Sequence, residues 1–97
     1  MNVVKMQNSI NQKIEQERRN RIRLSIFAYA YEFENHSIIS DYEYDALSRK
    51  INPSVLTGHA KCDKFFKTQF EPDTGMWIHK HPDLHGIRWL YERYFAR

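Results

Sequence analysis

The stretch Tyr29–Asp45, reading YAYEFENHSIISDYEYD, constrains this chain more than any other. Two aromatics close one predicted helix, a short bend follows, and a second helix opens under its own cap. Ser40 and Glu43 have the Ser-x-x-Glu spacing of a capping box, in which a hydroxyl and a carboxylate satisfy two otherwise orphaned amides. Asn35 suits the left-handed residue that ends a helix. The chain is therefore expected to double back here as an antiparallel helix pair.

Upstream, Ser9 and Gln12 repeat the capping spacing, so the first helix is expected to start there after a loose segment 1–8. Ile10, Ile14, Ile22, Ile26, Tyr29 and Phe33 fall on one stripe of a 3.6-residue period, and Leu24, Phe27 and Tyr31 widen it toward the end. The helix should be exposed at its start and packed after about Ile22. Arg18, Arg19, Arg21 and Arg23 fan around its circumference. With Glu15 and Glu17 just upstream, and Glu15–Arg19 a favourable i,i+4 pair, they read as a solvated face. A weak nucleic-acid or acidic-protein patch is the alternative.

Beyond the bend, Ile38 and Ile39 are expected to pack back onto the pair. The second helix should run from Asp41 to about Ile51 and bury Tyr44, Leu47 and Ile51, with Pro53 closing it. Val55 and Leu56 suggest a short packed turn, and Cys62–Phe70 a short helix with Phe65, Phe66 and Phe70 on its apolar side. Glu71–Gly75 is a turn signal. Met76–Ile78 reads as extended. His81-Pro82 is expected to open a last helix with Pro at its first position, followed by the stripe Leu84, Ile87, Leu90, Tyr91 and Tyr94. Gly86 weakens that helix by ~1 kcal/mol relative to Ala. The expected architecture is mainly α, an antiparallel helix pair with a loop-rich middle and a C-terminal helix. Residues 1–97 form a single domain, with the hairpin at 9–52 and an accessory segment at 53–97.

Ninety-seven residues, 14% of them aromatic with only three Gly and three Pro, fit one modest core with short connections. No apolar run approaches the ~18 residues that would span a bilayer, so no membrane role is expected. The first nine residues lack the apolar region of a secretory signal, and Cys62 has no second cysteine to pair with. A cytoplasmic setting is expected. The net charge of +3 suits an acidic partner or a nucleotide without singling out nucleic acid.

Asp41, Tyr44 and Asp45 stand at i, i+3, i+4 and project from one side of the second helix. A tight hairpin would bring Tyr31 close to that face, placing two phenols and two carboxylates around a small hollow. Phenol rings stack on flat heterocycles and attract cationic ones, and carboxylates accept hydrogen bonds from vicinal hydroxyls. A pyridinium ribonucleoside offers both features. Asp41 and Asp45 are like charges at i,i+4, a local conflict costing ~0.2–0.5 kcal/mol on an isolated helix. Structural roles are also open to these residues: Asp41 at the helix dipole, Asp45 paired with Arg49, and both tyrosines in the core.

The run Tyr29-x-Tyr31, nine residues, then Asp41-Tyr-Glu-Tyr44-Asp45-Ala-Leu resembles domain Ia, the N-terminal helical domain of NAD-dependent DNA ligases. That family's pattern is Tyr-x-Tyr-His, a bend, then Asp-x-x-Tyr-Asp on a helix. The resemblance covers roughly residues 15–52. It implies that Tyr31, Asp41, Tyr44 and Asp45 contact the nicotinamide mononucleotide half of NAD and assist a nucleotidyltransferase partner. Glu32 stands where the family has His, which puts an acceptor in place of an imidazole. The catalytic Lys-x-Asp-Gly is missing. Lys61-Cys62-Asp63-Lys64 lacks its Gly and reads as coincidence. The resemblance thus implies a stand-alone, non-enzymatic module of a kind that would suit a bacteriophage. The rival expectation is a protein-binding module, such as an inhibitor or adaptor acting on a host protein, that keeps the scaffold without the ligand.

Other chemistry is less well supported. His79, His81 and His85 with His59 and Cys62 have metal-ligand identities, but Pro82 interrupts them and no Cys-x-x-Cys is present. No motif makes Cys62 a nucleophile. Trp77, Trp89, Tyr91, Tyr94 and Phe95 read as core, with a recognition surface as the alternative.

Overall fold

The computed structural model describes residues 3–96. The fold is mainly α: α1 spans Val3–Glu34, α2 Asp41–Lys50, α3 Ala60–Thr68 and α4 Leu84–Tyr94, with a 3-10 helix at Met76–Lys80 and no strand among the described residues. None of these helices is long and apolar enough to cross a membrane.

α1 has 32 residues and, at ~1.5 Å per residue, a length of ~48 Å. The molecule's longest dimension is 49 Å, so this one helix sets it. Its two halves live in different environments. Val4, Met6 and Ile10 are exposed, whereas Leu24 and Ile26–Ala30 are buried on all sides by the later elements. Ser25, Ala28 and Ala30 are small enough to let those elements approach closely. The expected gradient of packing along this helix is present.

The start of α1 differs from the sequence expectation. Ser9 lies inside the helix, which already runs at Val3; residues 1 and 2 lie outside the described range. The Gln7 and Asn11 amides bond across one turn at 3.1 Å, which supports helix where a cap was expected. Ile22 and Phe33 are exposed rather than on the buried stripe, because the packing face rotates toward Leu24, Phe27 and Ala28.

The C-terminus of α1 follows the sequence. Asn35 takes φ 50, and the His36 amide donates back to the Ala30 carbonyl at 2.9 Å. Ser40 caps α2 and Glu43 completes the capping box. Ile38, Ile39 and Tyr44 pack half-buried against the core, where Leu47 and Ile51 sit.

Corrections concentrate in the second half. Leu56 is 74% exposed, so no packed turn forms there. Met76–Ile78 is 3-10 helix, not extended, with Trp77 and Ile78 buried. The last helix starts at Leu84, capped by Asp83, and Pro82 precedes the cap. A Cβ on Gly86 would meet the Asp83 carboxylate at 2.4 Å, so this glycine makes room for the cap. Tyr94 and Trp89 are exposed, whereas Trp77 and Tyr91 belong to the core. Phe65, Phe66, Phe70 and Trp77 form one aromatic cluster, with Phe66–Trp77 centroids 5.6 Å apart and Phe70–Trp77 5.2 Å.

The arginine cluster divides. Arg19 pairs with Glu15 at 3.5 Å on the surface, as expected, but Arg21 is only 4% exposed. Its Nε donates to Glu17 at 2.7 Å, one terminal nitrogen to Asp63 on α3 at 2.9 Å, and the other to the Asn52 and Val55 carbonyls, each at 2.9 Å. Glu17 in turn accepts from the Asn52 amide, and Asp63 from the amide and hydroxyl of Thr57. Four of its five N–H donors are used in these bonds, and so α1, the 51–57 connection and α3 are joined at one point.

Breaking such a set from one side leaves buried charge uncompensated, which costs about 3–5 kcal/mol. Arg21→Met should therefore lower the thermal midpoint by more than about 10 °C for a domain of this size; a shift within a few degrees in calorimetry would contradict the hub. Burial pushes the Asp63 carboxyl up, but hydrogen bonds from Thr57 and the charge of Arg21 outweigh burial and hold it below its ordinary range. Its native value thus lies below the unfolded ~3.9, so its stabilisation is complete above about pH 4 and fades as acid titrates the native carboxylate. Asp63→Asn should be less stable at neutral pH and show a shallower acid limb in denaturant titrations; an unchanged acid limb would refute this.

Candidate functional site

The bend between α1 and α2 builds a cleft. The cap at Ser40 fixes the first turn of α2: its Oγ accepts from the Glu43 amide at 3.1 Å. Asp41, Tyr44 and Asp45 then face the last turns of α1, where Phe27, Ala28, Tyr31 and Glu32 lie. These residues line a single cleft of about 440 Å³ together with Ile38, Ile39 and Asp73–Met76. All five residues singled out from the sequence, Tyr31, Glu32, Asp41, Tyr44 and Asp45, are on its walls.

The third wall was not foreseen as part of the site. The turn Asp73–Gly75 is drawn against α2 by three contacts. Tyr44 donates its hydroxyl to the Thr74 carbonyl at 2.7 Å, Ser48 Oγ accepts from the Asp73 amide at 3.1 Å, and Arg49 reaches the Asp73 carboxylate at 3.1 Å. Trp77 Nε1 donates to the same Thr74 carbonyl at 2.7 Å. Arg49 thus pairs with Asp73, not with Asp45. Asp73 stands at φ 64, a left-handed conformation that Asp tolerates.

The two tyrosines differ in role. Tyr31 is 59% exposed and offers an open ring at the cleft mouth. Tyr44 is half-buried, its hydroxyl already committed to Thr74, so it presents a ring edge and face. Burial pushes the Tyr44 phenol well above its ordinary value; Asp45, Glu32 and Asp73 act the same way, and only Trp77 opposes them. Glu32 Oε1 accepts from His79 Nε2 at 3.1 Å. His79 also packs on Phe33, with ring centroids 4.7 Å apart.

A second cavity of about 220 Å³ lies elsewhere, lined by Arg18, Ile22, His59, Cys62, His81 and Asp83 among others. Burial pulls His81 down to about 4, the main opposing influence being Asp83. Its Nδ1 accepts from the Asp83 amide at 3.0 Å. Burial and nearby Asp83 and Asp63 raise the Cys62 thiol, the opposite of what nucleophilic sulfur needs. His79 and His81 point into different regions, and no group of three or more His, Cys, Asp or Glu among the described residues is placed to hold a metal ion. Asp63, part of the ligase-like echo at 61–64, is taken up by Arg21 and Thr57.

Comparison with protein-family models, with curated proteins and with solved structures finds no match to this chain.

Because the Tyr44 proton is held by burial and by surrounding carboxylates, tyrosinate absorbance of the wild type and of Tyr44→Phe should coincide up to about pH 11, one unit above an ordinary phenol. An extra ionisation step near pH 10 in the wild type would contradict the buried hydrogen bond.

Proposed function

We propose that this chain is a non-enzymatic binding module similar to ligase domain Ia, and that its cleft takes the nicotinamide–ribose end of NAD or nicotinamide mononucleotide on behalf of a nucleotidyltransferase partner. One observation supports the reading above others: Tyr31, Glu32, Asp41, Tyr44 and Asp45, drawn from two helices, share one cleft. Its volume is within the range of small-molecule sites.

The chemistry follows from the walls. A pyridinium ring lies over the exposed face of Tyr31 and against Ile38 and Ile39, gaining stacking and cation–π attraction. Asp41 and Asp45 accept the ribose hydroxyls. Tyr44 shapes the floor through its ring and holds the 73–76 wall in place. No group acts on a bond of the ligand; the cleft only grips it.

The rival reading, a protein-binding module, is favoured by Trp89, 56% exposed on α4, with Tyr94 exposed beside the helix end.

Calorimetry with NAD, nicotinamide mononucleotide and nicotinamide riboside separates the two. The wild type is expected to bind at least one of them saturably. Asp45→Ala should bind at least tenfold more weakly, since a hydrogen bond to a charged group is worth about 1.5–3 kcal/mol. Saturable heat from none of the three rules out the ligand reading. A partner whose capture survives Asp45→Ala and is lost in Trp89→Ala would favour the rival.

A further inference from the structure

The cleft carries Glu32, Asp41, Asp45 and Asp73 and, among the described residues, no Lys, Arg or His on its walls. This runs against the chain as a whole, whose net charge is +3. Two basic groups are engaged by the cleft's own acids: Arg49 by Asp73 at 3.1 Å and His79 by Glu32 at 3.1 Å. Of the α1 arginines, Arg18 and Arg21 line the other cavity, Arg19 pairs with Glu15, and Arg23 lies over the ring of the cleft residue Phe27, 5.8 Å from its centroid, without itself lining the cleft.

A nucleotide monophosphate brings a group of charge about −1.5 to −2 at neutral pH. Arg49 offsets Asp73, but Glu32, Asp41 and Asp45 leave the cleft net negative with no Lys or Arg on its walls; there the phosphate is repelled, while a pyridinium nucleoside is attracted by the same field. From this we infer that the isolated chain selects a cationic, phosphate-free nucleoside over its 5′-phosphate, and that any phosphate-bearing ligand needs cations from a partner. The inference rests on the nicotinamide reading above and specifies the ligand class of that same cleft. Glu32 is the specificity-determining residue. It stands at the junction of the α1 wall and the His79 side, its side chain only 15% exposed, where its charge is poorly screened by water.

The test is a titration of the full chain with nicotinamide riboside and with nicotinamide mononucleotide. At about 0.01 M salt, where the Debye length is ~30 Å, the riboside should bind at least tenfold tighter; at about 1 M salt, where it is ~3 Å, the ratio should fall below about threefold. Glu32→Gln should raise mononucleotide affinity and narrow the low-salt ratio by at least about threefold, a change of ~0.7 kcal/mol. The salt series on the wild type stands even if that variant is unstable. Equal or tighter binding of the mononucleotide at low salt overturns the inference and leaves the nicotinamide reading standing. Binding of neither ligand overturns both.

Discussion

One buried guanidinium carries the architecture. Arg21 leaves the middle of α1, meets Glu17 on its own helix, Asp63 on α3, and two carbonyls of the connection between α2 and α3. A buried ion pair is a poor source of net stability, since desolvation offsets most of the attraction. What it supplies here is position. Its guanidinium also lies over the Phe66 ring, 5.1 Å from the centroid. Phe66 packs on Trp77, and Trp77 shares the Thr74 carbonyl with Tyr44. A chain of direct contacts therefore runs from the hub to the third wall of the cleft. Only α1 and α2 form the hairpin, but the third wall of the cleft comes from the second half of the chain, which Arg21 ties to α1 through Asp63.

What the sequence reveals, and what it hides, divides along locality. The Ser40–Glu43 box, the left-handed Asn35 and the one-sided set Asp41, Tyr44 and Asp45 depend on residues within a few positions of each other, and each is found as expected. The convergence of Tyr31 on that set needed only that two consecutive helices double back tightly. Arg21 is out of reach of a sequence reading because its partners beyond α1 lie 31 to 42 residues away, and nothing local distinguishes it from Arg19, which does sit on the surface and has a Glu four residues earlier in the same way. The same holds for Asp73–Met76. Pro72, Asp73 and Gly75 announce a turn, yet no turn signal says which helix the turn will lean on; that is decided by the Tyr44 hydroxyl and the Trp77 indole meeting one carbonyl. α1 and α4 start at Val3 and Leu84 rather than at the signals Ser9 and Pro82 for a related reason. Ser9 has the right spacing for a cap but competes with favourable helix on both sides, and Pro82 is outranked by Asp83, whose carboxylate reaches the Gly86 amide at 3.1 Å.

The exposed first half of α1 follows from the cooperativity of helices. Isolated helices of that length are marginal in water, because the first turn fixes several residues for one hydrogen bond. Here the nucleus is provided by the buried Leu24–Ala30 turns, so the exposed residues need only propagate from it. Amide pairs such as Gln7–Asn11 and Gln16–Asn20 add small local support. Burial of Val4, Met6 and Ile10 is thus not required for the arm to be helical, and their exposure carries no strain on the rest of the fold.

The departure at Glu32 bears directly on how the cleft would work. In the ligase-like pattern an imidazole follows the second tyrosine. In this chain a carboxylate stands there, and His79 on the 3-10 helix meets it from far along the sequence, 3.1 Å from Glu32 Oε1. The pair places an acid on the cleft wall with its imidazole partner outside the lining. A carboxylate held by His79 on one side cannot swing freely to follow a ligand, so it acts as a fixed field source rather than an adaptable contact. Fixed negative charge favours whatever arrives positive and disfavours whatever arrives as phosphate. On the proposed reading, an exchange of His for Glu in the pattern adds to the charge of Asp41 and Asp45 and shifts the cleft further toward a nucleoside cation and away from a nucleotide.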